Sequence, residues 1–342
     1  MTQEHTPHIV GLGNALVDVV VPVDPGILER HGLTLGGMHL VDASAAQALF
    51  DEVGPGVRQA GGSVANSVAH LADSGVRGTY LGKIANDDLG RSFLDEMVAL
   101  GLGAPVAVAQ NSALGTGRCV VLVTPDGERT MSTHLGVATE LLPAEVRAAM
   151  PETLDILLVE GYLWDAPQGA AVIAAAAEQA RAAGARIALT PSDAGCVARN
   201  ANAMLDFIAR DTDILVGNHV EIGTLADLQG GAAVLDWAMR RVGTAAVTEH
   251  EKGALVADAT GVHRIPAEDV ARVVDTTGAG DAFASGFLAG LALGARVAEA
   301  GRMGAARAAT VLDHYGARDG AAARAIALPA ANPTSTVDRA SY

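Results

Sequence analysis

Short apolar segments alternate with helix-patterned ones along most of this chain, and that alternation constrains the fold more than any other feature. HIVGLG, GTYLGKI, LDILLVEGY, ARIALTP, TDILVGN and TAAVTE each have the length and continuous apolar character of a strand buried on both faces. Several are followed by ten or more residues of helical sequence, such as SVANSVAHLADSG and AAVIAAAAEQARAAG. The pattern predicts an α/β fold, a doubly wound and mostly parallel sheet with helices on both faces. With 342 residues, half of them hydrophobic, the chain can bury one large core and still carry an appendage.

Two stretches break the rhythm. Residues 15–23 (ALVDVVVPV) and 117–134 (GRCVVLVTPDGERTMSTH) read as antiparallel β elements, the second a hairpin turning at Pro125, Asp126 and Gly127. They either form a small separate sheet, a lid over one edge of the main domain, or extend the main sheet at its edge. The expected organisation is a main domain over 1–327, with a β lid from about 14–42 and 104–136, and a polar, Pro-containing tail over 328–342.

The formal net charge of −16 argues against a nucleic-acid partner, because gripping a phosphate backbone needs a surplus of Lys and Arg. Cys119 and Cys196 lie far apart and outside any CxxC pattern, so both are expected as buried apolar thiols. No HExxH or comparable histidine spacing suggests a transition-metal site. The N-terminus lacks the basic and apolar regions of a signal peptide, and no apolar run reaches membrane-spanning length, so a cytoplasmic protein is expected.

The chemistry concentrates in VVDTTGAGDAFASGF, residues 273–287. ARVV is expected as a strand, Asp275 to Gly280 as a turn, and the run from Asp281 as a helix with Phe283, Phe287 and Leu291 on one face. The N–H groups of Gly278, Ala279 and Gly280 then lack intrahelical partners at the positive end of the helix dipole, which favours an anion. A carboxylate, Asp281, beside such an anion hole suits phosphoryl transfer to a hydroxyl: the base takes the proton while N–H dipoles and metal spread the charge. An ordinary helix N-cap is the structural alternative for Asp281. A Walker GxxxxGK[ST] pattern does not occur, and neither GAGDAF nor GLGNAL completes a dinucleotide fingerprint.

DTTGAGDAFASGF resembles the C-terminal signature of the PfkB family of carbohydrate and nucleoside kinases, which have the ribokinase-like fold, and AGGSVANSVAHLADSG (60–75) resembles its N-terminal counterpart. GKIANDDLG (82–90) and NHVE (218–221) match further family blocks in order, so the similarity spans residues 8 to about 320. GLGNALVDV, GTGRC with TPDGERTM, and EGYLWD resemble the adenosine kinase branch.

The resemblance implies that Asp281 is the catalytic base and that the Thr277–Gly280 backbone is the anion hole. It implies that Asp18 binds paired hydroxyls of the acceptor, with Asn14, Gly61, Gly62 and Asn66 as further acceptor contacts. Asn218 and Glu221 would organise Mg2+ around the phosphates of ATP through water, as suits an ion that keeps its hydration. Thr248 and Gly253 would lie near the nucleotide phosphates, and Arg118 in the lid hairpin would reach the transferred group on closure. Lys83, after a strand, is expected to be exposed. Asp275 is a candidate ligand for a monovalent cation such as K+, although VLDHYGARDG departs from the family pattern around His314. The implied activity is an ATP- and Mg2+-dependent kinase acting on a primary hydroxyl of a nucleoside or sugar, adenosine first, as a monomer or homodimer. A sugar kinase and a non-catalytic sugar-binding protein are the alternatives.

Overall fold

The computed structural model describes residues 5–110, 112–125, 128–314 and 316–318. In its first half lie β1 (His8–Leu12), β2 (Leu16–Pro22), β3 (Met38–Leu40), β4 (Val57–Gly61), β5 (Arg77–Leu81), β6 (Lys83–Ala85) and β7 (Ala107–Ala109). Then follow β8 (Gly117–Val123), β9 (Arg129–His134), β10 (Ile156–Glu160), β11 (Arg186–Thr190) and β12 (Ile214–Asn218). Last come β13 (Thr244–Thr248), β14 (Ala254–Asp258) and β15 (Gly261–Ile265).

Eight of these form the main sheet, in the order β15-β14-β13-β12-β11-β10-β1-β5. Pairing is parallel from β5 through β13 and antiparallel for β14 and β15. The strands read as unbroken apolar runs because both faces are covered. Ile9, Ile156, Leu158, Ile214 and Val216 pack on one face with Val64, Val68, Phe283 and Phe287. Their alternates Val10, Leu157, Val159, Leu189 and Leu215 pack on the other with Val172, Ile173, Val197, Phe207 and Val234. The doubly wound expectation holds. The Ala-rich Gly169–Ala182 helix buries Val172, Ile173 and Ala176 and turns its polar residues outward. Cys119 and Cys196 are buried free thiols. Among the described residues no helix is long and apolar enough to cross a membrane.

A second sheet of five strands has the order β3-β9-β8-β2-β4. Its β8–β9 pair is antiparallel as expected, while Asp126 and Gly127 of the expected turn lie outside the described residues. β2 departs from expectation, running antiparallel to β4 but parallel to β8. The reason is connectivity: β2 and β8 are remote in sequence and meet without a hairpin. β4 lies outside the segments expected to build this sheet, and β7 pairs with β6 in a separate two-stranded sheet. Residues 328–342 of the expected tail lie outside the described residues.

The expected ARVV strand does not form. Among the described residues it has no ladder partner, and the Val274 N–H is taken instead by the Leu312 carbonyl at 2.7 Å.

The helix expected after the Gly-rich turn spans Ala279–Ala292 and packs on the Val297–Ala309 helix through small residues. A Cβ on Gly286 would meet the Met303 carbonyl at 2.5 Å, and one on Gly290 would meet Ala300 Cα at 2.8 Å. Phe283 and Phe287 stack on each other, ring centroids 6.0 Å apart. Gly286→Ala gains about 1 kcal/mol of helix propensity but must push the two helices apart. The variant should therefore be destabilised, by about 1–3 kcal/mol in urea unfolding. A stabilised variant would show that the helix pair is not held at this spacing.

Candidate active site

The carboxyl ends of the parallel strands carry polar groups that the apolar runs stop short of. β10 ends in Glu160, which is 1% exposed. Its Oε1 accepts the Asn14 N–H at 2.8 Å and its Oε2 the Val64 N–H at 3.0 Å. The second bond replaces a side-chain cap for the Ser63–Ala69 helix, whose N-cap residue is Gly62. Burial, opposed by those N–H bonds, pushes the Glu160 carboxyl up to about 7.

Gly61 and Gly62 give room for Asp18 and Asn14. A Cβ on Gly61 would strike the Asp18 carboxylate at 2.5 Å, and Gly62, at φ 102°, leaves no space for one against the Asn14 carbonyl. Asn14 and Asn66 are buried, yet among the described residues Oδ1 of Asn14 and Oδ1 of Asn66 have no partner. Buried polar atoms of this kind call for a ligand or water. The structure thus brings Asn14, Asp18, Gly61, Gly62 and Asn66 to one place.

Asp281 faces them. It is the third residue of its helix, not the N-cap, which is Gly278 in the left-handed conformation at φ 75°. Its carboxylate accepts from Ser63 Oγ at 2.7 Å and from Asn66 Nδ2 at 3.4 Å. Burial drives the carboxyl up to about 7, those two donors oppose the shift, and the Asp18 charge adds to it. Asp18 itself is raised to about 6, by burial first, with Arg318 acting against it. A carboxylate that titrates near neutrality is matched to proton transfer.

In the turn, the Ala279 N–H is satisfied by the Thr276 carbonyl at 3.2 Å, contrary to expectation, because the turn closes on itself before the helix begins. Among the described residues the N–H groups of Gly278 and Gly280 have no partner, and a Cβ on Gly280 would meet nothing within 4 Å. Open space thus lies beside Gly280, at the positive end of the helix.

Asp275 and Thr277 are tied into the turn. Asp275 Oδ1 accepts from the Thr277 N–H at 3.0 Å and Thr277 Oγ1 at 2.9 Å, and Oδ2 accepts the Gly316 N–H at 2.9 Å. Arg129 of β9 forms an ion pair with the same carboxylate and donates to Thr277 Oγ1 at 2.8 Å. Oxygens so occupied, with a guanidinium already neutralising them, do not fit a monovalent cation.

Arg118, expected to reach the transferred group on closure, has partners of its own here. It stacks over the Phe50 ring at 4.7 Å and donates to Gln47 at 3.0 Å, so it is engaged by the Ala43–Val53 helix. The arginine of this hairpin that reaches the turn is Arg129. Lys83 is buried, not exposed, with its ammonium on Glu145 at 2.7 Å and the Glu140 carbonyl at 3.0 Å.

Asn218 and Glu221 cap the His219–Ala226 helix reciprocally, Asn218 Oδ1 accepting the Glu221 N–H at 2.9 Å and Glu221 Oε2 the Asn218 N–H at 2.9 Å. Glu221 is therefore a built-in element rather than a solvated strand end. Burial, together with the charges of Asp281 and Asp193, moves its carboxyl up to about 8. Thr248 pairs with Asn218 in register on the next strand. Gly253, at φ 84°, approaches the Ile265 carbonyl so closely that a Cβ would lie 2.0 Å from it. The residues that reading the sequence missed are Ser63, Glu160, Arg129 and Arg318. Glu160 alone had a local signal, a carboxylate ending a strand of a buried parallel sheet.

Fold and site together define the class: a phosphotransferase of ribokinase-like architecture that acts on a hydroxyl group. Residues 38–324 match the family described as pfkB family carbohydrate kinase, and the chain belongs to that family. Among solved structures it is similar to the adenosine kinase from Sinorhizobium meliloti, with 34% identity, a TM-score of 0.82, and coverage of 94% of this chain and 98% of that one. It is similar also to a probable sugar kinase from Rhizobium etli CFN 42, with 34% identity, a TM-score of 0.81, and coverage of 91% and 94%. The adenosine kinase of Saccharomyces cerevisiae is 27% identical over 313 residues, 84% of this chain and 90% of its own length.

Two outcomes follow from the geometry. A carboxyl whose pKa is raised by folding contributes stability that is intact below its unfolded value, near 4, and is lost as pH rises through about 7. Asp281→Asn cannot ionise, and Asn66 can turn its free Oδ1 toward the new amide. The variant should be more stable than wild type near pH 8, on the order of 1–2 kcal/mol, with the gap closing toward pH 4 in urea melts. A gap independent of pH would rule out a buried titrating carboxyl. Gly280→Ala meets no protein atom, so its fold should be intact while turnover falls at least about tenfold. Full turnover in that variant would place the anion elsewhere.

Proposed function

We propose that the protein transfers the γ-phosphoryl group of ATP to the primary 5′-hydroxyl of a nucleoside, adenosine first. The observation that carries this reading is a row of side chains across the second sheet. Gln59, Asp18, Cys119, Thr133 and Leu40 are direct cross-strand partners on β4, β2, β8, β9 and β3, so they share one face. The row changes character along its length. At the Asp18 end it offers a carboxylate for paired hydroxyls. At the other end it opens into a cleft of about 310 Å³ lined by Leu40, Leu114, Thr133, Leu135 and Gly136. Three strand spacings of about 4.8 Å separate the ends, room for a flat apolar base beyond a ribose. A free sugar would use only the polar end and leave the apolar cleft unfilled. The names of the Sinorhizobium and yeast relatives support the nucleoside, and that of the Rhizobium relative supports the sugar as the second reading.

In this mechanism Asp281 holds the acceptor hydroxyl and takes its proton as the oxygen attacks phosphorus. The N–H groups of Gly278 and Gly280, at the helix terminus, receive the charge of the transferred group. Arg129, anchored on Asp275 and Thr277, fixes the wall of the turn. Asn218, Thr248 and Gly253 would line the donor phosphates. Glu221 suits Mg2+: it is a hard oxygen donor whose neutral form is favoured only by burial and by neighbouring carboxylates, both of which a cation offsets. When bound, the ion would neutralise phosphate charge, held by Glu221 and Asn218 through water. The second sheet, as a lid, would close over the acceptor and exclude water that otherwise hydrolyses ATP.

The test is ADP release from Mg2+ and ATP with a panel of nucleosides and free sugars. Purine nucleosides should support turnover at least about tenfold better than ribose, each factor of ten being about 1.4 kcal/mol of transition-state binding. Asp281→Asn should keep nucleotide binding and lose turnover by orders of magnitude. Equal rates with ribose and adenosine would defeat the nucleoside assignment, and ADP release that ignores every acceptor would defeat the kinase.

A further inference from the structure

Residues 316–318 cross between the two halves of the site. The Gly316 N–H is bound to Asp275 at 2.9 Å, and the Ala317 carbonyl accepts from His70 Nε2 at 2.9 Å. The Arg318 carbonyl accepts from Gln59 Nε2 at 3.5 Å. The Arg318 guanidinium then meets β4: Nη2 donates to the Ala60 carbonyl and, at 2.9 Å, to Glu96 Oε1. Glu96 Oε2 in turn accepts the Ala60 N–H at 2.6 Å. One residue, Ala60, is therefore gripped at both its N–H and its C=O by an opposed pair of charges, directly before Gly61 and Gly62.

That grip uses only one nitrogen of the guanidinium. Arg318 is 6% exposed, and among the described residues its buried Nε and Nη1 have no partner. Unpaired charged donors in the interior are costly and persist where a function needs them. The carboxylates that Arg318 feels are Glu96, Asp18 and Asp281.

We propose that Arg318 is a positioning residue of the acceptor side, fixing Gly61 and Gly62 through its grip on Ala60 and serving as the cation that Asp18 and Asp281 share. The inference rests on the reading of these two aspartates as acceptor-side groups. The charged groups acting on Asp281 are Asp18 from β2, Glu160 from β10, Glu221 from the His219–Ala226 helix, and Arg318. Those acting on Asp18 are Arg318, Glu96, Arg129 and, reciprocally, Asp281. Arg318 is the cation common to both, and Glu96 opposes it at Asp18.

The opposition supplies a test by sign. In a carboxyl-13C NMR titration of the full chain, Arg318→Met should move the titrations of Asp18 and Asp281 up by about one pH unit. Glu96→Gln, which frees the guanidinium from its counter-charge, should move that of Asp18 down. Loosened packing would move both variants the same way, and that result, or no movement in either, would overturn the proposal. Arg318→Lys keeps the charge and loses the fork. It should leave both titrations near wild type while raising the acceptor KM about tenfold with little change in kcat; an unchanged KM would remove the positioning role. The titration needs no turnover, so opposite shifts in a protein inactive toward every acceptor would sink the kinase reading and the acceptor role with it, and leave standing only the electrostatic link of Arg318 to the two aspartates.

Discussion

The arrangement around Asp281 depends on a buried carboxylate that pairs with no cation among the described residues. Glu160 spends one oxygen on the Asn14 N–H and the other on the Val64 N–H, and so ties the end of β1 to the start of the Ser63–Ala69 helix. The same helix presents Ser63 and Asn66 to Asp281. That tie, with the pairing of Leu16 to Gly61, fixes the two groups that hold Asp281 relative to Asn14. Gly13 is part of the constraint, since a Cβ there would lie 2.4 Å from Glu160 Oε2.

The turn side is organised by the opposite economy. Asp275 gathers Thr277, Gly316 and Arg129 onto one carboxylate, joining the Gly-rich turn, the segment after the Val297–Ala309 helix, and the second sheet. In a chain of net charge −16, the guanidinium nearest the turn is already balanced. Charge on a bound polyphosphate would then fall to N–H groups, to the helix dipole and to a metal ion. The carboxylates Glu160, Asp281 and Glu221 lie along one edge of the main sheet, and each is pushed toward its neutral form chiefly by burial.

Much of this could be read in the residues alone, and the failures share one cause. Strands buried on both faces leave a local mark, so β1, β10, β11, β12 and β13 were readable one by one. The Gly-rich turn and its helix were readable because glycine spacing and helical periodicity are local as well. ARVV misled because its backbone is satisfied by Leu312, a partner that no local pattern announces. Arg118 and Arg129 stand in the same hairpin, and choosing between them requires knowing that Asp18 pairs with Cys119, which puts Arg118 on the other face. Arg318 was out of reach for the same reason: its meaning comes from Ala60 and Glu96, far away in the chain.

The second sheet has one more consequence, for how the molecule comes into being. β2 lies against β8 in parallel, Leu16 opposite Gly117, so the pairing closes a very long loop. Closure entropy of that size must be met before the contact returns anything, and such pairings assemble slowly. On the ribosome, β2 emerges well before its neighbour exists. Until β8 arrives, one edge of β2 is an open strand able to pair with a foreign chain.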